Sequence, residues 1–260
     1  MPLEWLVDYW SHAGKYVLPY FANRKIAIEE KFDDQTIFRR HDKNKNWIYV
    51  KNQTELDQYV RQHAFSFHPH QLSDDNIFWL LLDIDNRNPQ LPFSYIIEVT
   101  KIMAGILQKN HQPYLLKFSG NRGFHFMWSL GKIKKTDLKD DEFFIHTKQI
   151  IQNYADELTV NIENSPIKSK LIKYFAKNQP IINTNFADKE LSNSILLDKN
   201  IIRPNAVFRS PWSIHPKTNL VSAPLKLTDL DNFDRQNYTV DKTIPQLHHE
   251  EIPTIKFQAL

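Results

Sequence analysis

The sequence predicts a mixed fold of helices and strands, α+β or α/β. Three observations predict it: amphipathic stretches at helical spacing, a continuous apolar run of strand length at Ile77–Leu82, and a strand–helix–strand–strand order through the middle of the chain. The 260 residues are 41% hydrophobic, enough to enclose a sizeable core, so one domain is expected over residues 1–260. The net charge of +3 permits nucleic-acid binding without arguing for it. Cysteine is absent, which excludes disulfides, thiol nucleophiles and cysteine zinc sites. No apolar run reaches membrane-spanning length, and the opening Met1-Pro2-Leu3-Glu4-Trp5 lacks the basic start and apolar core of a signal peptide. A cytoplasmic protein without a membrane partner is therefore expected.

Leu6, Tyr9, Trp10 and Val17 lie near helical spacing, so Leu3–Leu18 is expected to be a helix that Pro19 ends or kinks. Lys25–Glu30, Thr36–Arg40 and Trp47–Lys51 read as short strands. Thr54 is a candidate N-cap for a helix reaching about His63. Asp74-Asp75-Asn76 forms a turn before Ile77–Leu82, whose unbroken apolar run suits a strand buried on both faces. After Pro92, the segment from Phe93 to Asn110 carries Ile96, Val99, Ile102, Met103, Ile106 and Leu107 on one helical face. Tyr114–Phe118 and Phe124–Leu130 are strands flanking a glycine loop. Alternation in the second puts His125 and Met127 on one face, and Phe124, Phe126 and Trp128 on the other. Asp140–Leu158 and Lys168–Lys177 are expected helices, Ser194–Leu197 a strand, and Ala206–Phe208 and Ser213-Ile214 strand fragments. The stretch after Pro224 is polar and reads as loop.

Three segments carry chemistry. Asp83 and Asp85 end the apolar strand at i, i+2 spacing, which sets two carboxylates side by side on one face. Their repulsion is relieved by a hard divalent cation with oxygen ligands, or the pair simply caps the strand in a solvated turn. Ser119-Gly120-Asn121-Arg122-Gly123, followed by His125 and preceded by Lys117, can cradle phosphate oxygens with backbone amides, or serve only as a hairpin turn. Arg209, Ser213, His215 and Lys217 gather anion-binding groups in one short stretch, though basic loops are usually solvated surface.

Taken together, these segments resemble the archaeo-eukaryotic primase superfamily. Leu81-Leu82-Asp83-Ile84-Asp85 resembles its first motif, a hydrophobic strand ending in Asp-x-Asp, and the stretch from Lys117 to His125 its second. The chain looks closest to the polymerase domain of ligase D. Leu18-Pro19-Tyr20-Phe21-Ala22-Asn23-Arg24 is similar to that family's opening segment, Phe67-His68-Pro69 fits ahead of the first motif, and Val221-Ser222-Ala223-Pro224-Leu225 fits near the end. The likeness runs over roughly residues 9–245. Counting back from Trp212-Ser213 by the family's interval lands on Asp198, after Ile195-Leu196-Leu197, as the third-motif carboxylate. The run from Ser213 to Thr218 departs from the family, which has Arg at the His215 position, and resembles the replicative primase small subunit instead. The cysteine-rich zinc element usual in that branch cannot be built here, which favours the end-joining branch or a stand-alone relative.

The resemblance implies an α+β primase-polymerase core, an RRM-like antiparallel sheet with flanking helices, with an N-terminal αβ lobe at about 1–70 and a metal-bearing core at about 71–245. It implies templated nucleotide addition to a primer 3′-hydroxyl. Asp83, Asp85 and Asp198 would hold two Mn²⁺ or Mg²⁺ ions, and Lys117, Ser119, Arg122, His125, Arg209, Ser213, His215 and Lys217 would bind a nucleoside triphosphate. Phe38 would stack on the template, its neighbour Ile37 having lost the aromatic face of the family's pair. Leu3-Glu4-Trp5 stands where the family reads a 5′-phosphate with basic residues, and Lys15, Arg24 and Lys25 are the candidate substitutes on DNA. The implied partners are primer-template or gapped DNA, a separate DNA ligase and an end-binding protein. Three rivals stand beside this: a primase starting chains without a primer, a catalytically inactive nucleic-acid-binding subunit, and an unrelated metal-dependent phosphatase or nuclease.

Overall fold

In the computed structural model, residues 4–247 are described except 34, 135, 139, 140, 178 and 186–192. Leu3, the expected start of the first helix, and Asp140, the expected start of the fourth, lie outside the described residues.

Two sheets organise the chain. The first is three-stranded and antiparallel in the order β2-β1-β3, from β1 (Ile26–Phe32), β2 (Gln35–Arg39) and β3 (Ala64–Pro69). The second is six-stranded, in the order β7-β8-β4-β6-β5-β9. It contains β4 (Ile77–Asn86), β5 (Leu115–Phe118), β6 (Gly123–Lys132), β7 (Ile182–Asn183), β8 (Ile195–Leu197) and β9 (Pro224–Leu225). Its pairings are antiparallel except β7 with β8. Sheets that are mostly antiparallel, with helices set apart from them, make the fold α+β.

The large sheet buries both faces, and alternation along its strands sorts two cores. Phe78, Leu80, Leu82 and Ile84 of β4 join Phe124, Phe126 and Trp128 of β6 against α3 (Phe93–Lys109) and α4 (Glu142–Glu163). Each fully buried aliphatic side chain contributes roughly 1.5–3 kcal/mol, and α3 supplies Ile96, Val99, Met103, Ile106 and Leu107 at helical spacing. On the opposite face, Trp79, Leu81, Leu115 and Met127 meet α1 (Glu4–Val17) and the small sheet. The amphipathic α1 presents Leu6, Tyr9, Trp10, Ala13 and Val17 to that second core. The second core thus spans the 1–70 stretch and the large sheet, with Trp212 and Ile214 closing it. Among the described residues, no helix is long and apolar enough to cross a membrane.

Several local expectations are corrected. The segment Trp47–Lys51 forms no strand but only a single bridge, Trp47 to His41; β1 is already flanked by β2 and β3, and Ile48 meets it through one backbone bond, from Ile26 N to the Ile48 carbonyl (2.8 Å). The N-cap of α2 (Gln53–Val60) is Asn52, not Thr54, because the Asn52 side chain accepts from Glu55 N at 2.9 Å. Lys168–Lys177 gives only one helical turn, α5 (Lys168–Leu171), and a 3-10 turn at Ile172–Tyr174; Leu171 alone is buried there, too little for an apolar stripe. Ala206–Phe208 and Ser213-Ile214 contribute single bridges, Val207 to His70 and Ile214 to Val221. A short helix, α6 (Val240–Gln246), forms in the stretch expected to be loop. The apolar strand, by contrast, closes on Asp83-Ile84-Asp85-Asn86 as expected, at the end of β4.

Candidate functional site

The register of three strands lines up the polar end of the large sheet. Asp83 on β4 pairs with His125 on β6, and His125 pairs with Lys117 on β5. The row therefore reads carboxylate, imidazole, ammonium across one face. His125 Nε2 lies 3.3 Å from Asp83 Oδ1. Lys117 is fully buried, and its Nζ donates to Ser222 Oγ at 2.7 Å. One step along β4, Asp85 faces Gly123, and its Oδ2 lies 2.7 Å from Arg87 Nε and 2.8 Å from Arg122 Nη2. Asp198 follows β8, which pairs with β4 through Leu197 and Ile84, so it emerges at the same end of the sheet. Its Oδ1 accepts from Asn200 N at 2.9 Å and caps the following turn.

Burial and like-charge crowding set the electrostatics. The Asp85 carboxyl is pushed up to about 6, first by burial and then by Asp83. Asp198 is also raised, by burial first and by Asp83. Burial works to raise Asp83 too, but His125, Lys117 and Arg87 outweigh it and hold it below the usual range. Burial, then Lys117, lowers His125 despite the pull of Asp83. Burial, then Arg209, drives Lys117 well below its ordinary value.

The small sheet and the segment from Arg209 to Val221 form the opposing wall. Glu29 Oε2 on β1 lies 3.3 Å from both His68 Nε2 on β3 and Arg209 Nη2. Arg209 Nη1 donates to Ser66 Oγ at 2.8 Å and to the Ile214 carbonyl at 3.3 Å. His215, next in sequence, has its ring pushed down to about 3, by burial and then by Arg209. Its turn is fastened to the glycine loop, because Thr218 Oγ1 donates to the Gly120 carbonyl at 2.6 Å. That loop needs its glycines. Gly120 has φ +83, and a β-carbon at Gly123 would strike the Ile84 carbonyl oxygen.

The structure places Asp83, Asp85, Asp198, Lys117, Ser119, Arg122 and His125 at one end of the large sheet, with Arg209, His215 and Lys217 on the segment fastened to the glycine loop, and Arg122 and Lys217 are exposed. The Ser119 hydroxyl accepts from Asn121 N and Gly123 N at 3.2 Å, so two loop amides expected to face phosphate are engaged within the loop. Lys117 is buried rather than at the surface, its ammonium donating to Ser222. Ser213 is corrected as a ligand-binding residue: it is fully buried and bonded to the backbone of Phe67. Arg24 is corrected as a DNA contact. It is 4% exposed, and its guanidinium donates to the carbonyls of His70, Gln71 and Ile77. Lys15 remains exposed, with Nζ over the Tyr16 ring, and Lys25 is half-buried over Trp47. Phe38 is 45% exposed on β2, with its ring edge-on to His68 at 5.1 Å. The site residues not anticipated are Glu29 and Arg87. The acid pair Glu29-Glu30 after Ile26-Ala27-Ile28 is the available signal for the first; the second has only its place after Asp85.

Asp83 and Asp85 suit a hard divalent cation, for they supply oxygen donors whose mutual repulsion already raises Asp85. Among the described residues, however, no three carboxylate or imidazole groups converge tightly enough to grip one ion. The Asp198 carboxylate is engaged as a cap by Asn200 N.

A family model described as LigD, primase-polymerase domain, matches residues 4–254. The fold is similar to the solved polymerase domain from Mycobacterium tuberculosis ligase D in complex with DNA. The TM-score is 0.72 at 13% sequence identity, covering 94% of this chain and 87% of that one. Comparison with curated proteins gives no match.

Proposed function

Since the chain belongs to the LigD primase-polymerase domain family, whose members are nucleotidyltransferases of DNA end joining, we propose that it adds nucleotides to the 3′-hydroxyl of a DNA primer under the direction of a template. The observation that carries this is the placement of Asp83 and Asp85 on one strand beside the glycine loop, which is itself fastened to the His215 turn.

Asp83 and Asp85, with Asp198 beside them, would hold two Mn²⁺ or Mg²⁺ ions. Such ions, when bound, lower the pKa of the attacking hydroxyl and stabilise the departing pyrophosphate. His125 orients Asp83 from the neighbouring strand. Arg122, His215 and Lys217 would bind the triphosphate, and the buried Lys117 and Arg209 would add positive potential. Phe38 offers an aromatic face to a template base. The similar domain solved with DNA supports DNA as the substrate; its form here would be a primer-template or gapped duplex, acted on in the cytoplasm beside a separate ligase and end-binding protein.

The test is primer extension with Mn²⁺ on gapped DNA, with and without a 5′-phosphate, using ribo- and deoxynucleotides in parallel. Replacing Asp83 and Asp85 together by Ala is expected to abolish extension while circular dichroism shows an intact fold. Extension by the double variant rejects the proposal. The Ser213–Thr218 run also favours a second reading, chain initiation without a primer, which dinucleotide synthesis on unprimed template would reveal.

A further inference from the structure

We infer that Glu29 is a positioning residue for the nucleotide site, one carboxylate that braces the His215 turn on one side and the Phe38 ring on the other. The inference rests on the nucleotide reading above and assigns a role to a residue outside its motifs.

A single oxygen, Oε2, meets Arg209 Nη2 and His68 Nε2, both at 3.3 Å. Through Arg209 the contact passes to Ser66 Oγ and to the carbonyl of Ile214, the residue before His215. Through His68 it passes to Phe38, whose ring packs edge-on at 5.1 Å. Glu29 therefore joins the wall that would face the triphosphate to the wall that would face the template. Its side chain is only 17% exposed, so solvent screens its charge weakly. Its carboxyl is held down at about 2: burial opposes ionisation, but His68 and Arg209 more than offset it. Removing that charge leaves the Arg209 guanidinium, 14% exposed, short of a counter-ion. Arg209 would then be free to turn away from Ile214. Glu29's polar contacts are with these two side chains, so it acts through them.

The next acid along β1 supplies the control. Glu30 is also buried but pairs with Arg39 and touches none of this network. Calorimetric titration of a nucleoside triphosphate with Mn²⁺ into the full chain reads the effect without needing turnover. Glu29→Gln, matched in shape and lacking charge, is expected to weaken binding about tenfold, and Glu30→Gln to leave affinity within about twofold even where it lowers Tm. A folded Glu29→Gln protein with unchanged affinity overturns the inference, as does an equal loss in Glu30→Gln. Should Glu29→Gln fail to fold, Glu29→Asp, which keeps the charge but withdraws it by one methylene, is expected to cost about threefold; unchanged affinity there overturns the inference equally. Wild-type protein that binds no triphosphate removes the nucleotide reading itself, and this inference with it.

Discussion

Gly123 passes so close to Ile84 that a β-carbon on it would lie 1.7 Å from the Ile84 carbonyl oxygen. The contact sits where β6 meets β4, opposite Asp85. The obstacle is backbone, which cannot swing aside as a side chain can. Gly123→Ala is expected to cost about 3 kcal/mol, measured by urea denaturation. A loss below about 1 kcal/mol would mean that the two strands can part there without penalty.

Asp83 and Asp85 repel one another in the folded chain and are apart in the unfolded one, so a divalent ion should favour the folded state by mass action. At a hundredfold excess over its dissociation constant, Mn²⁺ is expected to raise Tm by about 5 °C. The Asp83→Asn/Asp85→Asn variant should show no such rise. An equal shift in both proteins would place the ion elsewhere.

Thr218 holds the His215 turn to the glycine loop through a 2.6 Å bond to the Gly120 carbonyl. Thr218→Val keeps the shape and removes the donor. Since Thr218 is exposed, Tm should hardly move, while KM for the nucleotide rises by roughly fivefold, a cost of about 1 kcal/mol. Steady-state extension assays separate KM from kcat, and a fall confined to kcat would contradict the assignment.

Phe38 contributes little to the core at 45% exposure. Its value lies in stacking, worth about 1–3 kcal/mol per base. Phe38→Ala is expected to weaken binding of single-stranded template by about tenfold, with Tm preserved. Fluorescence anisotropy of a labelled oligonucleotide measures this directly.

Glu29 makes stability depend on acid. Its folded value of about 2 lies below that of an unfolded glutamate, near 4.5. Its contribution is therefore complete above about pH 4.5 and fades as pH falls through about 2. The stability difference between wild type and Glu29→Gln, on the order of 3 kcal/mol at neutral pH, should narrow steadily as denaturation is repeated from pH 6 to pH 3. A difference independent of pH would show that the carboxylate gains nothing from its partners.

Much of this architecture is legible in the residues. The unbroken run Ile77–Leu82 announces a strand buried on both faces, and Phe124–Trp128 announces which side chains point to which core. What the sequence withholds is register between distant strands, since nothing local says that Asp83 will sit opposite His125 rather than Met127. Arg24 shows a second limit: a basic residue in a loop reads as surface, yet three carbonyls converge to bury it. Thr54 shows a third, because Asn52 and Thr54 are both good caps and only the bond to Glu55 N decides between them. The interval from Trp212-Ser213 points to Asp198, but its side-chain direction, toward Asn200, depends on a local cap that no interval encodes.

The two-sided burial of β4 also constrains how this chain can change over generations. Substitutions in β4 are answered by one core or the other, and each can adapt alone. Adding or dropping one residue between Ile77 and Leu82 is different, because it would exchange the two sets of side chains and turn both carboxylates toward α3 and α4 at a single stroke. Lineages descending from this chain can therefore exchange the apolar side chains of β4 but must keep Asp83, Asp85 and its length, and their insertions and deletions should collect in the loops around it.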